Sequence, residues 1–333
     1  MDKSSKTPIG VIGLGIIGSR VAASLRRAGY PVFVWSRTPR SEPNFLSSAR
    51  EIAESADLIQ LFVRDGVALL EVIRAMGPAL GESHIVMNHA TVGPAETLEA
   101  ARLVGEQGAS FLDAPFTGSR DSATEGELDY YVVGEEPLLE RAASVLEVSA
   151  KAILLMGGIG TATYVKIATN MISAAQVEAL AEALALLNRG GVPLSSLREA
   201  LEYNLANSGV VSAKLPLMLM GDFAPRFSVK NMLKDLQVAL RSVEGKGIDL
   251  PVISATAGAL MGAMQAGWGE DDFASLARHY TYAGSMKGEE IFSPAPDVQE
   301  GAVASGEKMK EASSQPKKKR LLGFLGRKTS AKT

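Results

Sequence analysis

Short apolar runs alternate with segments of helical periodicity along the first half of the chain. The runs predict strands at residues 9–12, 32–35, 58–63, 85–87, 110–113, 130–133 and 153–155. Between them, apolar residues recur near the helical spacing in residues 17–28, 66–76, 94–107 and 137–146. Such alternation is typical of a parallel sheet with crossover helices. The pattern therefore predicts an α/β domain with a doubly wound parallel sheet over residues 1–158.

The second half of the chain has a different pattern. Strand-like runs stop after Gly160, and residues 161–189 contain no Gly or Pro before the pair Gly190-Gly191, which predicts one long helix. Further stretches of helical character cover residues 194–203, 210–220, 229–245, 251–266 and 273–283. We therefore expect an all-helical second domain over residues 159–292, joined to the first domain by the long helix.

The amino-acid composition narrows the possible chemistry. A chain of 333 residues that is 46% hydrophobic has enough apolar material for one large or two medium domains. It contains no cysteine, which excludes disulfides, thiolate metal sites and a cysteine nucleophile. Because only three histidines are present, we expect no metal site.

Two features of the sequence bear on whether the protein is cytoplasmic, secreted or membrane-bound. No apolar stretch of signal-peptide length precedes Ile9, so we expect a cytoplasmic protein. Residues 250–269 carry no charge, and a stretch of this length could span a membrane. They are mostly Ala, Gly, Ser and Thr with Pro251 near the start, which favours a buried helix.

Charge is unevenly distributed along the chain. Residues 293–333 hold nine Lys and Arg against four acids, a net charge of +5, which leaves residues 1–292 with a net charge of −8. The composition of this last segment predicts a disordered basic tail. Residues 317–328 could dock on nucleic acid or on an anionic membrane, or have no specific partner. Nothing in the acidic body indicates binding to nucleic acid or to a membrane.

A glycine-rich turn follows the first predicted strand and opens a predicted helix. It reads Gly13-Leu14-Gly15-Ile16-Ile17-Gly18, the spacing of the dinucleotide-binding fingerprint. In that fingerprint the first glycine permits a tight turn, the second lets the backbone approach a pyrophosphate, and the third lets helix and strand pack closely. The helix N-terminus supplies amides to the phosphates. The setting favours a Rossmann dinucleotide site over a merely Gly-rich turn.

The end of the second predicted strand indicates which nicotinamide cofactor is bound. An NAD-specific site has Asp or Glu there to accept a hydrogen bond from the ribose. This chain has Ser36-Arg37-Thr38 instead. A guanidinium with two hydroxyls suits a 2′-phosphate through charge-assisted hydrogen bonds, so NADPH is favoured. The alternative is that Arg37 is an ordinary solvated loop residue.

Four further segments, taken in order with the glycine turn, resemble a known family. They are Asn88-His89-Ala90-Thr91-Val92-Gly93-Pro94, Asp113-Ala114-Pro115-Phe116-Thr117-Gly118-Ser119-Arg120, Lys166 with Asn170, and Phe227 with Lys234-Asp235. The resemblance is to the β-hydroxyacid dehydrogenases and covers roughly residues 8–290. This family includes 3-hydroxyisobutyrate dehydrogenases, tartronate semialdehyde reductases and glyoxylate/succinic semialdehyde reductases. The run from Gly118 to Arg120 is most similar to the last of these branches, which is NADPH-dependent.

The resemblance implies the catalytic residues. Lys166 matches the family's catalytic lysine, which donates a proton to oxygen in carbonyl reduction and acts as a base in alcohol oxidation. Asn170, one helical turn further on, matches the asparagine that positions the substrate and the lysine. Imine reductases share this architecture but usually carry Asp or Tyr where this chain has Lys166.

The resemblance also implies a substrate site after the fifth predicted strand. Thr117 and Gly118 match a Ser-Gly pair that binds the substrate carboxylate. Ser119 replaces a second glycine of many members, which leaves the substrate size in doubt. Arg120 has two open interpretations, a contact to a distal substrate carboxylate or simple exposure to solvent. Phe227 would line the site beside the substrate or the nicotinamide.

Four other residues are placed near the cofactor by the resemblance, namely Val63, Thr91, Lys234 and Asp235. Thr91 would lie close to both nicotinamide and substrate. His89 stands where the family commonly has an apolar residue. It is a candidate second acid/base, although a structural role is favoured.

These observations predict an NADPH-dependent oxidoreductase that reduces a small carboxylate-bearing aldehyde or 2-oxo acid, of the glyoxylate/succinic semialdehyde type, to the hydroxy acid. The open alternatives are a 3-hydroxyisobutyrate or tartronate semialdehyde dehydrogenase, an imine reductase-like enzyme, and a non-catalytic NADP-binding scaffold. Long interdomain helices with Ala/Leu-rich faces often bury against another subunit in this family. We therefore also expect a homo-oligomer, either a dimer or a higher even assembly.

Overall fold

The computed structural model describes residues 6–280 and the backbone of Leu321–Leu322. The first part forms a five-stranded parallel sheet in the order β2-β1-β3-β4-β5. The strands are β1 (Ile9–Ile12), β2 (Val32–Trp35), β3 (Leu58–Leu61), β4 (Ile85–Asn88) and β5 (Ser110–Asp113). The helices between them are α1 (Gly18–Arg27), α2 (Ala49–Ser55), α3 (Gly66–Met76) and α4 (Pro94–Gly105), and a short 3-10 helix, Gly77–Ala79, follows α3. The predicted doubly wound fold is confirmed.

Successive strands are added first on one side of β1 and then on the other, and this change of side determines where a ligand can bind. After β2 the chain continues outward, where Phe45 makes a single parallel bridge with Val34. Helix α2 then returns it to the other side of β1, where β3 pairs with β1. In doubly wound sheets, ligands bind at such a change of side, outside the carboxyl ends of the strands. The glycine-rich turn after β1 lies at this position.

A second sheet begins after β5 and has the order β6-β7-β8-β9. Its strands are β6 (Phe116–Thr117), β7 (Leu128–Val132), β8 (Ala150–Leu155) and β9 (Leu321–Leu322), with helices α5 (Arg120–Glu125) and α6 (Glu136–Leu146) between them. Strand β6 runs antiparallel to β7, whereas the other pairs are parallel. An antiparallel bridge between Asp113 and Val133 joins the two sheets. The sequence had predicted only parallel strands in this region.

The predicted disordered tail, residues 293–333, lies outside the described residues except for β9. Those two residues pair with Ile153 and Leu154 of β8, and the disorder of the tail stays a prediction.

The helical part begins with α7 (Thr161–Arg189), whose bounds equal those of the predicted long helix. It continues with α8 (Ser195–Glu202), α9 (Gly209–Met220), α10 (Val229–Val243) and α11 (Pro251–Gln265). A 3-10 helix, Phe273–His279, stands where the sequence predicted an α-helix over residues 273–283. Residues 281–283 of that prediction lie outside the described residues.

Helix α7 packs along α9, α10 and α11. By length and mean hydropathy it is the one helix in the described part of the chain that could cross a membrane, a test that core helices of soluble proteins also pass. Its buried residues include Lys166, Asn170 and Glu178, and charged side chains are rarely buried unless they are paired. Most of the uncharged stretch 250–269 forms α11 in the same bundle, as the sequence predicted.

Candidate active site

The turn after β1 has the geometry that the fingerprint requires. Gly13 has a φ of +98°, and a Cβ on it would collide with the carbonyl group of Phe62. A Cβ on Gly18 would collide with the carbonyl oxygen of Gly13, whereas a Cβ on Gly15 would meet nothing within 4 Å. Close packing therefore requires the first and third glycines, and the second borders open space. A pyrophosphate could approach the backbone through that space.

Helix α1 starts at this turn without a capping side chain. Its N-cap residue, Ile17, makes no side-chain hydrogen bond, and the first turn contains no acidic residue. A helix N-terminus has unpaired N–H groups and a positive dipole end, both of which favour an anion. Residues 13–18 thus fit the pyrophosphate of a dinucleotide.

A cavity of about 430 Å³ lies at the end of β2. It is lined by Trp35, Ser36, Arg37, Pro39, Phe45, Leu46 and Ser47. The Gly13 N–H donates to the Trp35 carbonyl at 2.8 Å, which places the cavity next to the glycine turn. Ser36 donates to the Thr38 carbonyl at 2.7 Å. Arg37 is exposed and makes no hydrogen bond or ion pair within residues 6–280, so its guanidinium is available to a phosphate.

Lys166 and Asn170 lie one turn apart on the buried face of α7. Lys166 Nζ donates to Asn170 Oδ1 at 2.9 Å, and Asn170 Nδ2 donates to Asp235 Oδ2 at 2.6 Å. The three residues are only 8%, 7% and 2% exposed. Buried polar groups that satisfy one another in this way are held in one arrangement. The contacts therefore orient the ammonium group of Lys166.

The titration of Lys166 is also set by its surroundings. Burial lowers the pKa of Lys166 to about 8, with Asp235 opposing the shift and Lys234 adding to it. A group with a pKa near physiological pH can both give and accept a proton. Lys166 therefore has the property that acid/base catalysis requires.

Lys234 connects this arrangement to the parallel sheet. Its Nζ lies 2.6 Å from Asp235 Oδ1 and donates to the Thr91 carbonyl at 2.5 Å. Thr91 follows β4 at the carboxyl edge of the sheet, whereas Lys234 and Asp235 lie on α10. Five residues predicted from the sequence are therefore brought into one set of contacts, which we name the lysine network: Lys166, Asn170, Asp235, Lys234 and Thr91.

The predicted substrate turn, residues 117–120, lies at the start of the second sheet. Ser119 Oγ accepts hydrogen bonds from two amides in the first turn of α5 and so caps that helix. Arg120 Nε donates to Asp121 Oδ1 at 3.0 Å in an exposed pair. Within the described residues, no hydrogen bond joins this turn to the lysine network.

Phe227 and Val63, the two apolar residues predicted near the ligands, both pack against apolar clusters. Phe227 is half-buried and meets Phe273 edge to face, with ring centroids 6.0 Å apart. Val63 follows β3 and packs against the cluster formed with α2 and α3. Any contact of these two side chains with a ligand stays a prediction from the family resemblance.

A buried ion pair behind Phe227 was not anticipated from the sequence. Lys214 Nζ donates to the two carboxylate oxygens of Asp272 at 2.7 and 2.9 Å, and the residues are 7% and 0% exposed. Asp272 Oδ2 also accepts from the amides of Arg226 and Phe227. The pair thus fixes the turn that starts α10, the helix of Lys234. Two charged residues 58 positions apart form no motif, so no sequence signal could have identified them.

His89 is part of an aromatic cluster in the core. Its ring stacks on Phe62 with centroids 4.6 Å apart and meets Tyr130 edge-on, while Nδ1 bonds to the Ala114 carbonyl at 2.7 Å. Burial lowers the pKa of His89 to about 4, so the ring is neutral at physiological pH. These contacts support the structural interpretation over a role as second acid/base.

Comparisons with known proteins extend over both parts of the chain. Residues 8–158 match the family model for the NAD binding domain of 6-phosphogluconate dehydrogenase. Residues 160–280 match the model for NAD-binding of NADP-dependent 3-hydroxyisobutyrate dehydrogenase. Both halves thus resemble nicotinamide-dependent dehydrogenases.

The chain is also similar to individual dehydrogenases and reductases. The chain is 32% identical to 2-hydroxy-3-oxopropionate reductase of Escherichia coli (strain K12) over 252 residues, which is 73% of this chain and 86% of that protein. It is 28% identical to chloroplastic glyoxylate/succinic semialdehyde reductase 2 of Arabidopsis thaliana over 287 residues, or 83% and 80% of the two chains. The solved structure of Mycobacterium tuberculosis 3-hydroxyisobutyrate dehydrogenase with L-serine superposes with a TM-score of 0.77 at 26% identity, covering 83% and 99%.

Proposed function

Since the chain belongs to the 3-hydroxyisobutyrate dehydrogenase-like family of β-hydroxyacid dehydrogenases and is an NAD(P)-dependent oxidoreductase, we propose that it reduces a small carboxylate-bearing aldehyde or 2-oxo acid with NADPH. Substrates of the glyoxylate/succinic semialdehyde type fit this description. The observation that carries the proposal is the buried Lys166, held by Asn170 at the junction of the sheet and the helical part. The names of two relatives, a glyoxylate/succinic semialdehyde reductase and a 2-hydroxy-3-oxopropionate reductase, support the substrate class.

The lysine network accounts for the proton in this reaction. A dinucleotide whose pyrophosphate lies at the glycine turn would supply a hydride from its nicotinamide to the carbonyl carbon. Lys166 would hold a proton at Nζ, stabilise the negative charge that develops on the carbonyl oxygen, and transfer the proton to it. Asn170 Oδ1 accepts from the ammonium and so directs it, while Asp235 holds the Asn170 amide in place. In the reverse direction the neutral amine of Lys166 would accept the proton.

We assign the substrate carboxylate to Thr117 and Gly118, on the family resemblance, with Ser119 beside them in the substrate site. Arg120 is available for a second, distal carboxylate because its partner Asp121 is an exposed neighbour in sequence, and exposed ion pairs contribute less than about 1 kcal/mol.

The preference for NADPH rests on Arg37, whose guanidinium lines the cavity after β2. We predict that Arg37→Ala lowers kcat/KM for NADPH by about 10- to 100-fold, because charge-assisted hydrogen bonds are worth about 1.5–3 kcal/mol. The value for NADH should change by less than about threefold, since NADH has no phosphate at this position. Steady-state kinetics with both cofactors measure the effect. An unchanged preference in the variant would contradict the assignment of Arg37.

A substrate panel tests the proposed reaction. Oxidation of NADPH and of NADH would be followed with glyoxylate, succinic semialdehyde, tartronate semialdehyde, methylmalonate semialdehyde and one cyclic imine. We expect turnover of at least one of the acids, with NADPH preferred. Turnover of the imine alone, or of no compound, would refute the proposed function.

A further inference from the structure

The helix that carries Lys166 has no capping side chain at its own N-terminus. The N-cap residue of α7 is Gly160, with a φ of +91°, and the first turn contains no acidic residue. This helix start is buried, since Ala162 and Thr163 are 0% and 2% exposed. The first N–H groups of a helix have no partner within the helix, and leaving one buried and unpaired is costly. An acceptor from elsewhere is therefore required.

Asp113, at the end of β5, supplies this acceptor. Its Oδ2 accepts from the backbone N–H of Thr163 at 3.3 Å and from the Thr163 hydroxyl at 3.0 Å. Thr163 is the third residue of α7, and the third N–H is one that a capping side chain normally binds. Within residues 6–280, Asp113 has no ion-pair partner, although it is fully buried. Its carboxylate is therefore stabilised by hydrogen bonds and by the dipole of a 29-residue helix.

Thr97 of α4 adds a third element to the same junction. Its hydroxyl lies 3.0 Å from the Thr163 hydroxyl and also donates to the Gly93 carbonyl at 3.1 Å. Thr97 is fully buried. The start of α7 is therefore held by a strand and a helix of the parallel-sheet part, through side chains that have no contact with solvent.

We propose that Asp113 is a positioning residue that caps α7 from outside the helix and thereby fixes Lys166 relative to the substrate turn. Thr163 precedes Lys166 by three residues and so lies on the same side of α7. Asp113 is also close in sequence to the substrate turn, since Thr117 follows it by four residues. One carboxylate thus links the proton donor to the substrate site. The kinetic part of this inference rests on the proposed function, whereas the capping contact does not.

Four variants test the positioning role. Thr163→Val removes the hydroxyl and keeps the side-chain shape, and Asp113→Ala removes both acceptor oxygens of the cap. Thr163→Ser retains the hydroxyl, and Ser173→Ala is a control that removes a hydroxyl bonded only to the Thr169 carbonyl within α7. We expect kcat to fall about tenfold or more in the first two, because misplacement of about 1 Å can cost about 10²-fold. The last two should stay within about threefold of wild type, and KM for NADPH should be unchanged in all four.

The primary isotope effect on kcat separates positioning from a loss of folded protein. With NADPH deuterated at the transferred hydrogen, the effect should rise in Thr163→Val and Asp113→Ala, because the chemical step itself becomes slower. A smaller fraction of folded enzyme would lower kcat and leave the isotope effect unchanged. That second result would overturn the positioning role.

Hydrogen exchange tests the cap without any substrate. In the two disrupting variants, amides of residues 161–166 should exchange faster than in wild type, while the C-terminal half of α7 is unaffected. Unchanged exchange in Asp113→Ala would overturn the capping contact, because this variant has no acceptor for the Thr163 N–H. If wild type reduced no member of the substrate panel, the proposed function would fail, and the exchange data would still decide the cap.

Discussion

At the scale of single residues, burial shifts the titration of three groups at the junction of the two parts. It lowers the pKa of Lys166 to about 8 and that of His89 to about 4, and it raises the pKa of Asp113 to about 6. In each case the low-polarity interior disfavours the charged form. The shift at Lys166 affects proton transfer in the reaction, whereas the shift at His89 affects how the stability of the fold depends on pH.

His89→Phe tests the effect on stability. Below about pH 6.5 the unfolded chain binds a proton at His89, whereas the folded chain does so only near pH 4, so acid costs the folded state up to about 3 kcal/mol. Asp113 has a raised pKa, so protonation at low pH stabilises the folded state. This contribution is present in both wild type and variant and cancels in their difference. We predict that the unfolding free energy of wild type minus that of the variant falls by about 3 kcal/mol between pH 7 and pH 4. Urea denaturation at several pH values would measure it, and a constant difference would contradict a neutral buried ring.

Residues joined by a short spacing could be predicted from the sequence, and residues joined across the fold could not. The glycine spacing identified the turn after β1, and a spacing of four put Lys166 and Asn170 on one helix face. The contact of Asn170 with Asp235 spans 65 positions, and that of Asp113 with Thr163 spans 50. No periodicity connects residues so far apart, because their contact depends on how the elements pack.

At the scale of elements, length decided what the pattern could predict. Helix α7 was predicted with its observed bounds because periodicity extends over 29 residues. Helices α2 and α5 and strand β6 were missed because they have only 7, 6 and 2 residues. For α2 a local signal existed, since Ser48 accepts from the Glu51 amide in a Ser-x-x-Glu capping pattern.

The Lys214–Asp272 ion pair gives a prediction at this scale, because it joins α9 to the residue that precedes the 3-10 helix and that also binds the amides before α10. We expect Lys214→Met to lower the free energy of unfolding by about 3–5 kcal/mol, since it leaves a buried carboxylate without its cation. Lys230→Met is the matched control, because Lys230 pairs with Glu270 at the surface and should contribute less than about 1 kcal/mol. Urea denaturation of both variants measures the contrast. Equal losses of unfolding free energy in the two variants would contradict the larger contribution assigned to the buried pair.

At the scale of the whole molecule, the lysine network spans the two parts of the chain. Thr91 belongs to the parallel-sheet part, whereas Lys166, Asn170 and Asp235 belong to helices of the second part. Neither part alone contains the complete network. The chain changes from strand β8 to helix α7 between Leu155 and Thr161, and the division into two domains near residue 158 stays a prediction.

Exposed apolar side chains lead to a prediction about assembly. Ile172 and Leu186 of α7 are 59% and 73% exposed, and Tyr203 and Leu205 after α8 are almost fully exposed. Contiguous exposed apolar surface marks interaction sites, and Ile172 and Leu186 lie on one face of α7 because their spacing is about four helical turns. We propose that a second copy of this chain covers it, and we expect light scattering at micromolar concentration to give the mass of a dimer or a higher even oligomer. Leu186→Glu should reduce that mass, and a monomeric mass for wild type would contradict the proposal.

The dependence of kcat on pH, measured for wild type and Lys166→Met in both reaction directions, tests the proposed chemistry most directly. Reduction requires the ammonium form, so wild-type kcat should fall about tenfold per pH unit above about pH 8, whereas oxidation of the hydroxy acid should rise up to that pH. The variant should lose about 10²- to 10⁴-fold in both directions and still bind NADPH. A wild-type profile without these opposite limbs, or a variant within about threefold of wild type, would show that Lys166 is not the proton donor.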